Sequence, residues 1–360
     1  NVEVAALSSP TQALSRLSYQ TSQYHARNNK EFSKDNFALT TLKNSFKQQV
    51  ISHWGNEQAL FSSNHRYVKY ANDYRSRSII DFDLGFVRIE SLNQDNNRQF
   101  LQQAIEYTLL APESPAFTDF YTSYTSEVLS TPFLYQQIKD QDGKLIKWHW
   151  RAARYAKYLI DKTYTETQVG ANILAAVSFS LLPNHTKVRE QRYLPLIKQQ
   201  VKRYNIDEKL IRAIIQQESL FNPYALTTDG RVGLMQVSAK TIGQDVFKQQ
   251  KKWPFAPSQN YLFDNSNNLD IGVSYLNLLD THYLKAINNS ESRYYATIAS
   301  YVAGPSNMLQ TFSKNKNEAL VIINNLSSYE VYQSLTTKQS KPEIKNYVAE
   351  VNSNYRQISK

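Results

Sequence analysis

The sequence of 360 residues contains no cysteine. This absence excludes disulfide bonds, zinc sites with thiolate ligands and a thiol nucleophile. The six histidines show no His-Glu-x-x-His pattern and no other spacing that is typical of metal ligands. Glycine-rich phosphate-binding motifs and the Gly-x-Ser-x-Gly motif of serine hydrolases are also missing. We therefore expect neither a metal site nor a bound cofactor.

Long apolar segments are missing as well. The longest one, residues 173–182, is interrupted by Ser178 and Ser180 and is followed by Pro183. A membrane-spanning helix needs roughly 20 predominantly apolar residues, so we predict no transmembrane segment. Because the sequence opens with Asn1 instead of a methionine, we expect that a signal or anchor segment has been removed from its start.

What the sequence has in excess is positive charge. Lysine and arginine number 41, against 31 aspartates and glutamates, and the formal net charge is +10. A basic surface suits nucleic acid, anionic lipid headgroups or a polymer rich in carboxylates, and the sign of the charge does not choose among them. The hydrophobic content of 41% is ordinary for a globular protein, and the length favours about two domains.

Residue patterning divides the chain into three parts. Residues 1–35 are polar and predict a partly disordered leader. Residues 36–185 mix strand and helix patterns and predict an α+β accessory domain with an antiparallel sheet. Over residues 186–360 the strand signals stop and the pattern predicts an all-α domain. The individual predictions are hairpins around Gly85 and Asp142-Gly143, a strand at 177–181, and helices at 151–162, 187–204, 207–219, 265–287, 293–303, 316–325 and 342–356.

A carboxylate lies on the apolar side of the helix predicted over 207–219, for which Asp207 is a suitable N-cap. At about 100° per residue, Glu218 falls within the apolar stripe of this helix. The stripe consists of Leu210, Ile211, Ile214 and Ile215. An apolar setting raises the pKa of a carboxyl group and favours the neutral acid. The alternative is that Glu218, in the last turn, reaches solvent or pairs with an arginine.

Three short motifs follow one another in the C-terminal half. Glu-Ser-Leu-Phe-Asn-Pro occupies 218–223, Gly-Leu-Met-Gln occupies 233–236 after a turn at 227–230, and Ser-Tyr-Val-Ala-Gly occupies 300–304. This set resembles the lytic transglycosylase family. The goose-lysozyme-like catalytic domain of that family carries E-S-x-x-N-P, G-L-M-Q and A-Y-N-A-G in the same order. The resemblance implies a lysozyme-like domain over about 190–358.

The N-terminal half supports the same family. Its segments Phe133-Leu134-Tyr135 and Leu182-Pro183-Asn184-His185 resemble the membrane-bound C-type murein transglycosylases, and the whole likeness covers about residues 40–358. It implies a peptidoglycan enzyme in the periplasm of a Gram-negative bacterium, lipid-anchored to the outer membrane through a segment outside this sequence. The implied partners are peptidoglycan glycan strands, with other cell-wall enzymes or scaffold proteins bound through the N-terminal domain.

The resemblance also implies a reaction. The family cleaves the β-1,4 bond between N-acetylmuramic acid and N-acetylglucosamine without water, because the muramyl 6-hydroxyl attacks its own anomeric carbon and closes a 1,6-anhydro ring. Glu218 would be the single catalytic group, first an acid toward the leaving oxygen and then a base toward the 6-hydroxyl. A second flanking carboxylate, usual in glycosidases, is not expected, because the family uses the acetamido group of its substrate.

Other residues match the family motifs and are expected to bind substrate. Thr227 stands where relatives often carry a serine whose hydroxyl meets the catalytic carboxyl; the alternative is a turn residue. Gly233 allows the turn that brings Gln236 to a sugar amide. Met235 and Tyr347 line either the cleft or the core, and Tyr301 faces the acid in the family. The full expected set is Ser219, Thr227, Gly233, Met235, Gln236, Tyr301 and Tyr347.

One position departs from the family pattern. Val302 replaces the asparagine of A-Y-N-A-G, and an apolar β-branched side chain cannot make the hydrogen bonds of an amide. This departure favours, as the alternative to a fully active enzyme, a peptidoglycan-binding or scaffold protein with weakened catalysis. A nucleic-acid binder would rest on net charge alone, and we expect no nucleic-acid partner.

Overall fold

A computed structural model of the chain describes residues 29–92, 96–113, 117–123, 131–337 and 341–358. The predicted leader lies outside the described residues as far as residue 28. The first helix begins at Asn29, inside the end predicted for that leader.

The chain divides into two compact units. The first comprises Asn1–Gln191, Asn222–Gly233 and Pro257–Asn265, and the second comprises Arg192–Phe221, Leu234–Ala256 and Ser266–Lys360. The first long stretch thus ends six residues after the boundary predicted at residue 185. Two later segments, which the sequence places in the C-terminal domain, are grouped with the first unit because their side chains pack there.

The first unit is built on a five-stranded sheet of order β1-β2-β3-β5-β4, antiparallel throughout. The hairpin predicted around Gly85 is confirmed, since β2 and β3 pair in the register Asp81↔Phe86. Gly85 has a φ of 66° in the turn, a conformation that a residue without Cβ adopts at little cost. The strands are β1 Arg66–Ala71, β2 Ser76–Asp81, β3 Phe86–Ser91, β4 Thr165–Val169 and β5 Asn172–Ser180.

Two helices of the first unit pack on this sheet and on each other, α2 (Asn97–Leu109) and α3 (His149–Thr163). Each buries apolar side chains three and four positions apart, so one face meets the strands. The helix predicted at 151–162 is confirmed as α3. The longest helix, α1 (Asn29–Gln58), has non-helical dihedral angles at Gly55 and was not predicted, because its sequence is mostly polar.

The turn predicted at Asp142-Gly143 forms, but its flanks are not strands. Asp140 N donates to Lys144 O at 2.8 Å, and a single β-bridge joins Lys139 to Leu145. The Asp140 carboxylate accepts from the backbone N–H groups of Asp142 and Lys144 at 3.0 and 2.8 Å. This side chain takes up donors that a longer ladder would use, and the prediction of two paired strands here is wrong.

The two later segments join the first unit through aromatic rings. The ring of Tyr224 lies 4.3 Å from that of Tyr67 and 4.9 Å from that of Phe133. The ring of Phe263 lies 5.1 Å from that of Phe120, with the two planes at 89°. Edge-to-face pairs of this kind are favourable beyond the apolar area that they bury. These contacts account for the grouping of 222–233 and 257–265 with the sheet.

The second unit is helical, and the helices predicted for it are present. The helix predicted over 265–287 ends earlier, at Leu278, and continues as a π-helical turn, Leu279–Tyr283. The described helices after the sheet are α4 His185–Tyr204, α5 Glu208–Ser219, α6 Gln244–Gln249, α7 Gln259–Phe263, α8 Asn265–Leu278, α9 Ser290–Ala303, α10 Pro305–Leu309, α11 Lys316–Asn325, α12 Ser328–Thr336 and α13 Pro342–Gln357.

An α+β half with an antiparallel sheet followed by a mainly helical half confirms the predicted fold class. The only strands described after the sheet are the two-residue β6 (Arg231–Val232) and β7 (Val237–Ser238). Across the described ranges, no helix is both long enough and apolar enough to span a membrane.

Candidate active site

Helix α5 places a carboxylate in the interior of the second unit. Asp207 caps the helix, its side chain accepting a hydrogen bond from Lys209 N at 3.0 Å. The predicted apolar stripe is buried, and Glu218 lies on the same side with 6% of its surface exposed. The helix ends one residue later, where Leu220 takes a left-handed φ of 52°. This burial matches the predicted apolar setting of Glu218 and excludes its solvent-exposed alternative.

Helix α13 supplies a hydroxyl group to that carboxylate. It packs against both α5 and α9. The Tyr347 hydroxyl donates to Glu218 Oε1 at 2.6 Å, across a separation of 129 residues in sequence. Tyr347 is buried with 8% of its surface exposed. It therefore packs in the interior and also contacts the predicted acid, so the two alternatives weighed for this tyrosine do not exclude each other.

Ser219 ties this helix to the turn at 233–236. Its hydroxyl donates to Leu234 O at 2.7 Å, and the serine is fully buried. The turn is left-handed at both ends, with φ values of 74° at Gly233 and 48° at Gln236. The Gln236 side chain is 2% exposed. Because Ser219 directly follows Glu218, its hydrogen bond fixes the position of the turn relative to the carboxylate.

Met235 is held from two sides by residues of α8 and α9. Met235 N donates to Asn268 Oδ1 at 2.8 Å, and the Tyr301 hydroxyl donates to Met235 O at 2.8 Å. The Met235 side chain lies against Gly272, where an added Cβ would approach its Sδ to 2.4 Å and its Cβ to 2.9 Å. Met235 is fully buried. Of the two positions weighed for it, cleft and core, this agrees with the core.

The sequence reasoning did not identify Asn268 and Gly272 as parts of the site. Both lie on α8, four positions apart and therefore on one face of the helix. A signal was available in Gly272, because a glycine in the interior of a helix lowers helix propensity and indicates a close tertiary contact. Asn268 is fully buried.

Two expected site residues, Thr227 and Gly233, belong to the first unit. The Thr227 hydroxyl donates to the Asp229 carboxylate and accepts from Arg231 N at 3.1 Å. Burial opposes ionisation of Asp229, but its bonds with Thr227 and Arg231 outweigh this effect and lower its pKa. Thr227 thus closes its own turn, and its approach to the catalytic carboxyl stays a prediction.

The segment around Val302 contains an unused polar atom. Val302 lies near the end of α9 and is half-buried. Two positions earlier, the Ser300 hydroxyl is buried and has no hydrogen-bond partner within the described part of the chain. Tyr301, between them, points its hydroxyl at Met235 O. Val302 itself offers a polar ligand only its backbone groups, whereas the asparagine of the family motif would offer an amide.

A second buried carboxylate of the same unit, Asp270, has a different environment. Asp270 is paired with Arg203 at 2.9 Å and Lys251 at 2.8 Å. Burial, together with a hydrogen bond to Asp270, raises the pKa of Tyr204 to about 12. Asp270 is therefore part of a structural ion-pair network. The Glu218 carboxylate, by contrast, accepts a hydrogen bond from a neutral hydroxyl group, that of Tyr347.

Within the residues that the structure describes, no group of three or more His, Asp or Glu side chains converges on a point. A buried carboxyl group that accepts a hydrogen bond from a hydroxyl group suits proton transfer in a site of low polarity.

The chain is similar to known proteins over most of its length. The chain matches two family models, "Membrane-bound lytic murein transglycosylase C, N-terminal domain" over residues 32–192 and "Transglycosylase SLT domain" over residues 195–323. It is 40% identical over 326 residues to the membrane-bound lytic murein transglycosylase C of Yersinia enterocolitica, covering 90% of this chain and 91% of that protein. It is 41% identical over 332 residues to that of Yersinia pestis, covering 91% and 92%.

Among solved structures, the chain is similar to the 70-kDa soluble lytic transglycosylase of Escherichia coli. The sequence identity is 26% and the TM-score is 0.36, over 46% of this chain and 24% of that one.

Proposed function

Because the chain belongs to the membrane-bound lytic murein transglycosylase C family, we propose that it cleaves the β-1,4 bond between N-acetylmuramic acid and N-acetylglucosamine without water. Glu218 is the single acid and base of this reaction. The observation that carries the proposal is the buried Glu218 carboxyl group on the apolar face of α5, 2.6 Å from the Tyr347 hydroxyl. The family membership makes the protein an enzyme that acts on murein.

In the first step, the neutral carboxyl group of Glu218 gives its proton to the glycosidic oxygen. The bond from that oxygen to the muramyl anomeric carbon breaks, and Glu218 becomes a carboxylate. In the second step, the carboxylate takes the proton of the muramyl 6-hydroxyl while that oxygen bonds to the anomeric carbon. A 1,6-anhydro ring forms, the acid is regenerated, and no water is consumed.

Two opposing influences fit Glu218 to both steps. Its apolar neighbours on α5 favour the neutral acid that the first step needs, because a buried charge loses hydration. The hydrogen bond donated by Tyr347 favours the carboxylate that the second step needs. A group stabilised in both protonation states exchanges its proton at a small free-energy cost, which is the condition for efficient general acid–base catalysis near neutral pH.

We assign positioning roles to the residues that hold the turn at 233–236. Ser219 and Tyr301 fix this turn by hydrogen bonds to Leu234 O and Met235 O. The Gln236 amide is the proposed partner of a sugar acetamido group, and Met235, buried against Gly272, supports the turn from the core side. Gly233 and Thr227 complete the expected substrate-binding set.

The proposed function is tested by incubating the protein with purified peptidoglycan sacculi and analysing the products by mass spectrometry. Wild type should release 1,6-anhydromuramyl products, and Glu218→Gln should release none at a measurable rate. The matched control is Glu208→Gln, which changes a part-exposed glutamate in the first turn of the same helix and should leave product formation intact.

Two results would overturn the proposal. Products with a reducing muramyl end would show hydrolysis by water, and anhydro products from Glu218→Gln would show that another group is the acid. Tight binding to sacculi without any product, in wild type, would instead support the peptidoglycan-binding or scaffold protein that Val302 suggests.

We also propose where the protein works. The relatives are named membrane-bound, which supports a place in the cell envelope. The proposed location is the periplasm of a Gram-negative bacterium, with a lipid anchor in the outer membrane and with other cell-wall proteins as partners of the N-terminal domain. Fractionation of cells expressing the full-length protein checks this, since recovery in the cytoplasm would contradict it.

A further inference from the structure

An open groove on the first unit carries features that the catalytic residues do not explain. Its volume is about 480 Å³. It follows the turn after Asp140 and the first turn of α3. The lining residues that matter are Tyr135, Lys144, Lys147, Trp148, Trp150 and Arg151.

Two tryptophans project from this groove into solvent. Trp148 is 60% exposed and Trp150 is 56% exposed. Lys147 Nζ lies 5.3 Å from the ring centre of Trp148, and the Arg151 guanidinium lies 4.4 Å from that of Trp150. Burying large aromatic side chains is favourable, so two of them left exposed beside one another indicate a surface that is covered by a ligand.

The groove is also rich in positive charge. Residues 139–157 contain six lysines and arginines and two aspartates, a net charge of +4 within 19 of the 360 residues. Arg151 and Arg154 are paired with the two aspartates, at 2.5 and 2.7 Å. For Lys144 and Lys147, no carboxylate lies within ion-pairing distance in the described residues. These two lysines, which line the groove, are thus left for an anionic ligand.

The groove wall is held in place before any ligand binds. The Asp140 carboxylate accepts hydrogen bonds from two backbone N–H groups of its own turn and from Arg151. Burial works against its ionisation, but the bond from Arg151 and the backbone bonds lower the pKa of Asp140. The turn that carries Lys144 and the helix end that carries Trp150 are therefore joined by a charged pair. Because the groove is already ordered, binding a ligand costs little conformational entropy of the protein.

We propose that this groove binds a peptidoglycan glycan strand, as a non-catalytic contact on the first unit. The two indoles stack on the apolar faces of sugar rings, and Lys144 and Lys147 pair with carboxylates of the stem peptides. The inference rests on the proposed function, because it takes peptidoglycan as the substrate. A single-stranded nucleic acid also offers flat rings and negative charge, but its tight binding needs cations for many successive phosphates. Among the described residues that line the groove, Lys144 and Lys147 are the only cations outside an ion pair.

Binding is measured by co-sedimentation with purified sacculi, with Glu218→Gln present in every protein to prevent turnover. Trp148→Ala/Trp150→Ala should weaken binding at least about tenfold, as expected for anchoring aromatic residues. The matched control is Tyr329→Ala, which removes a ring that is 68% exposed on α12, and it should bind like the parent. Because both tryptophans are exposed, their removal should leave the melting temperature unchanged.

A second pair of variants tests the carboxylate contact. Lys147→Gln should weaken binding to sacculi and to soluble strands with stem peptides, but not to strands whose peptide carboxyl groups have been converted to amides. Lys162→Gln, at the other end of α3, should change neither. Equal sacculus binding by the parent and the double tryptophan variant would overturn the proposal. So would a single-stranded oligonucleotide that displaces sacculi from the parent but not from that variant.

The groove and the catalytic proposal fail in different ways. If wild type makes no anhydro products but loses sacculus binding on removal of the tryptophans, the groove stands and the catalytic proposal falls. If anhydro products form and removal of the tryptophans does not change binding, the catalytic proposal stands and the groove proposal falls.

Discussion

Replacing the buried Gly272 by alanine should change the free energy of unfolding through two effects of opposite sign. Gly272 lies inside α8, where alanine is the better helix former by about 1 kcal/mol. Helix propensity alone therefore predicts a more stable protein. The packing around Gly272 predicts the opposite, because an added Cβ would lie 2.4 Å from Met235 Sδ and 2.9 Å from both Met235 Cβ and Met235 Cε.

We expect the packing effect to outweigh the gain in helix propensity. The sulfur and the terminal methyl group of Met235 can rotate away, but its Cβ moves only with the backbone. That backbone is held by Asn268 and Tyr301 at 2.8 Å each. Overpacking of a close-packed core costs about 1–3 kcal/mol, and the strain on these two hydrogen bonds adds to it. We expect Gly272→Ala to lower the free energy of unfolding by about 1–2 kcal/mol after the propensity gain is subtracted.

Urea unfolding at 25 °C measures this change. The double variant Gly272→Ala/Met235→Ala is the internal control, because it removes the two flexible atoms of the clash and leaves only the Cβ approach. It should lose less stability than the sum of the two single variants. A Gly272→Ala protein more stable than wild type, or single effects that simply add, would refute the packing argument.

The same substitution should also lower catalytic activity, because it displaces the turn at 233–236. Met235 is next to Gln236 in the turn that Ser219 and Tyr301 hold. A displacement of about 1 Å in a residue that positions substrate lowers the rate by as much as about 100-fold. We expect the rate of product release from sacculi by Gly272→Ala to fall well below that of wild type under conditions where the protein is still folded.

Three further outcomes are expected. Tyr347→Phe should slow product release and move the alkaline limb of the pH–rate profile to higher pH, because the lost hydrogen bond favours the carboxylate of Glu218; an unmoved limb would contradict this. Ser219→Ala should lower the free energy of unfolding in urea by about 1–3 kcal/mol, because it removes the donor to a buried carbonyl oxygen; an unchanged unfolding curve would count against that bond. Burial, with the charge of Arg189 added, lowers the pKa of His185 to about 4, below the ordinary 6.5. The unfolded chain therefore binds the proton first, and stability present above pH 6.5 is lost as the pH falls toward 4. The melting temperature of His185→Gln should fall less than that of wild type between pH 7 and pH 4, and an equal fall would show that His185 is not the group responsible.

At Asp142-Gly143, the local sequence pattern predicted the turn correctly but not the strands on either side of it. The turn itself formed as predicted, since Gly143 has a φ of 71°. The strands on either side did not, because the Asp140 carboxylate binds the backbone of the same turn. A dipeptide specifies the conformation of its own residues, whereas the length of a strand depends on which neighbour takes its hydrogen bonds.

The sequence by itself determined the features that repeat along one element. The apolar stripe of α5, the place of Glu218 on it and the capping by Asp207 all follow from a period of 3.6 residues, and the structure has each of them. The same reasoning identified the hairpin at Gly85 and the helices after Pro183, because each is stabilised mainly by contacts close in sequence.

Tertiary structure alone decided which side chains meet. No pattern joins Glu218 to Tyr347 across 129 residues, or Met235 to Asn268 and Gly272 on another helix. Such contacts depend on the shape left between packed helices, which every side chain in the core helps to set. Two segments of the C-terminal half pack with the N-terminal sheet for the same reason: their aromatic rings are buried there, and burial is a property of the folded chain and not of any stretch of it.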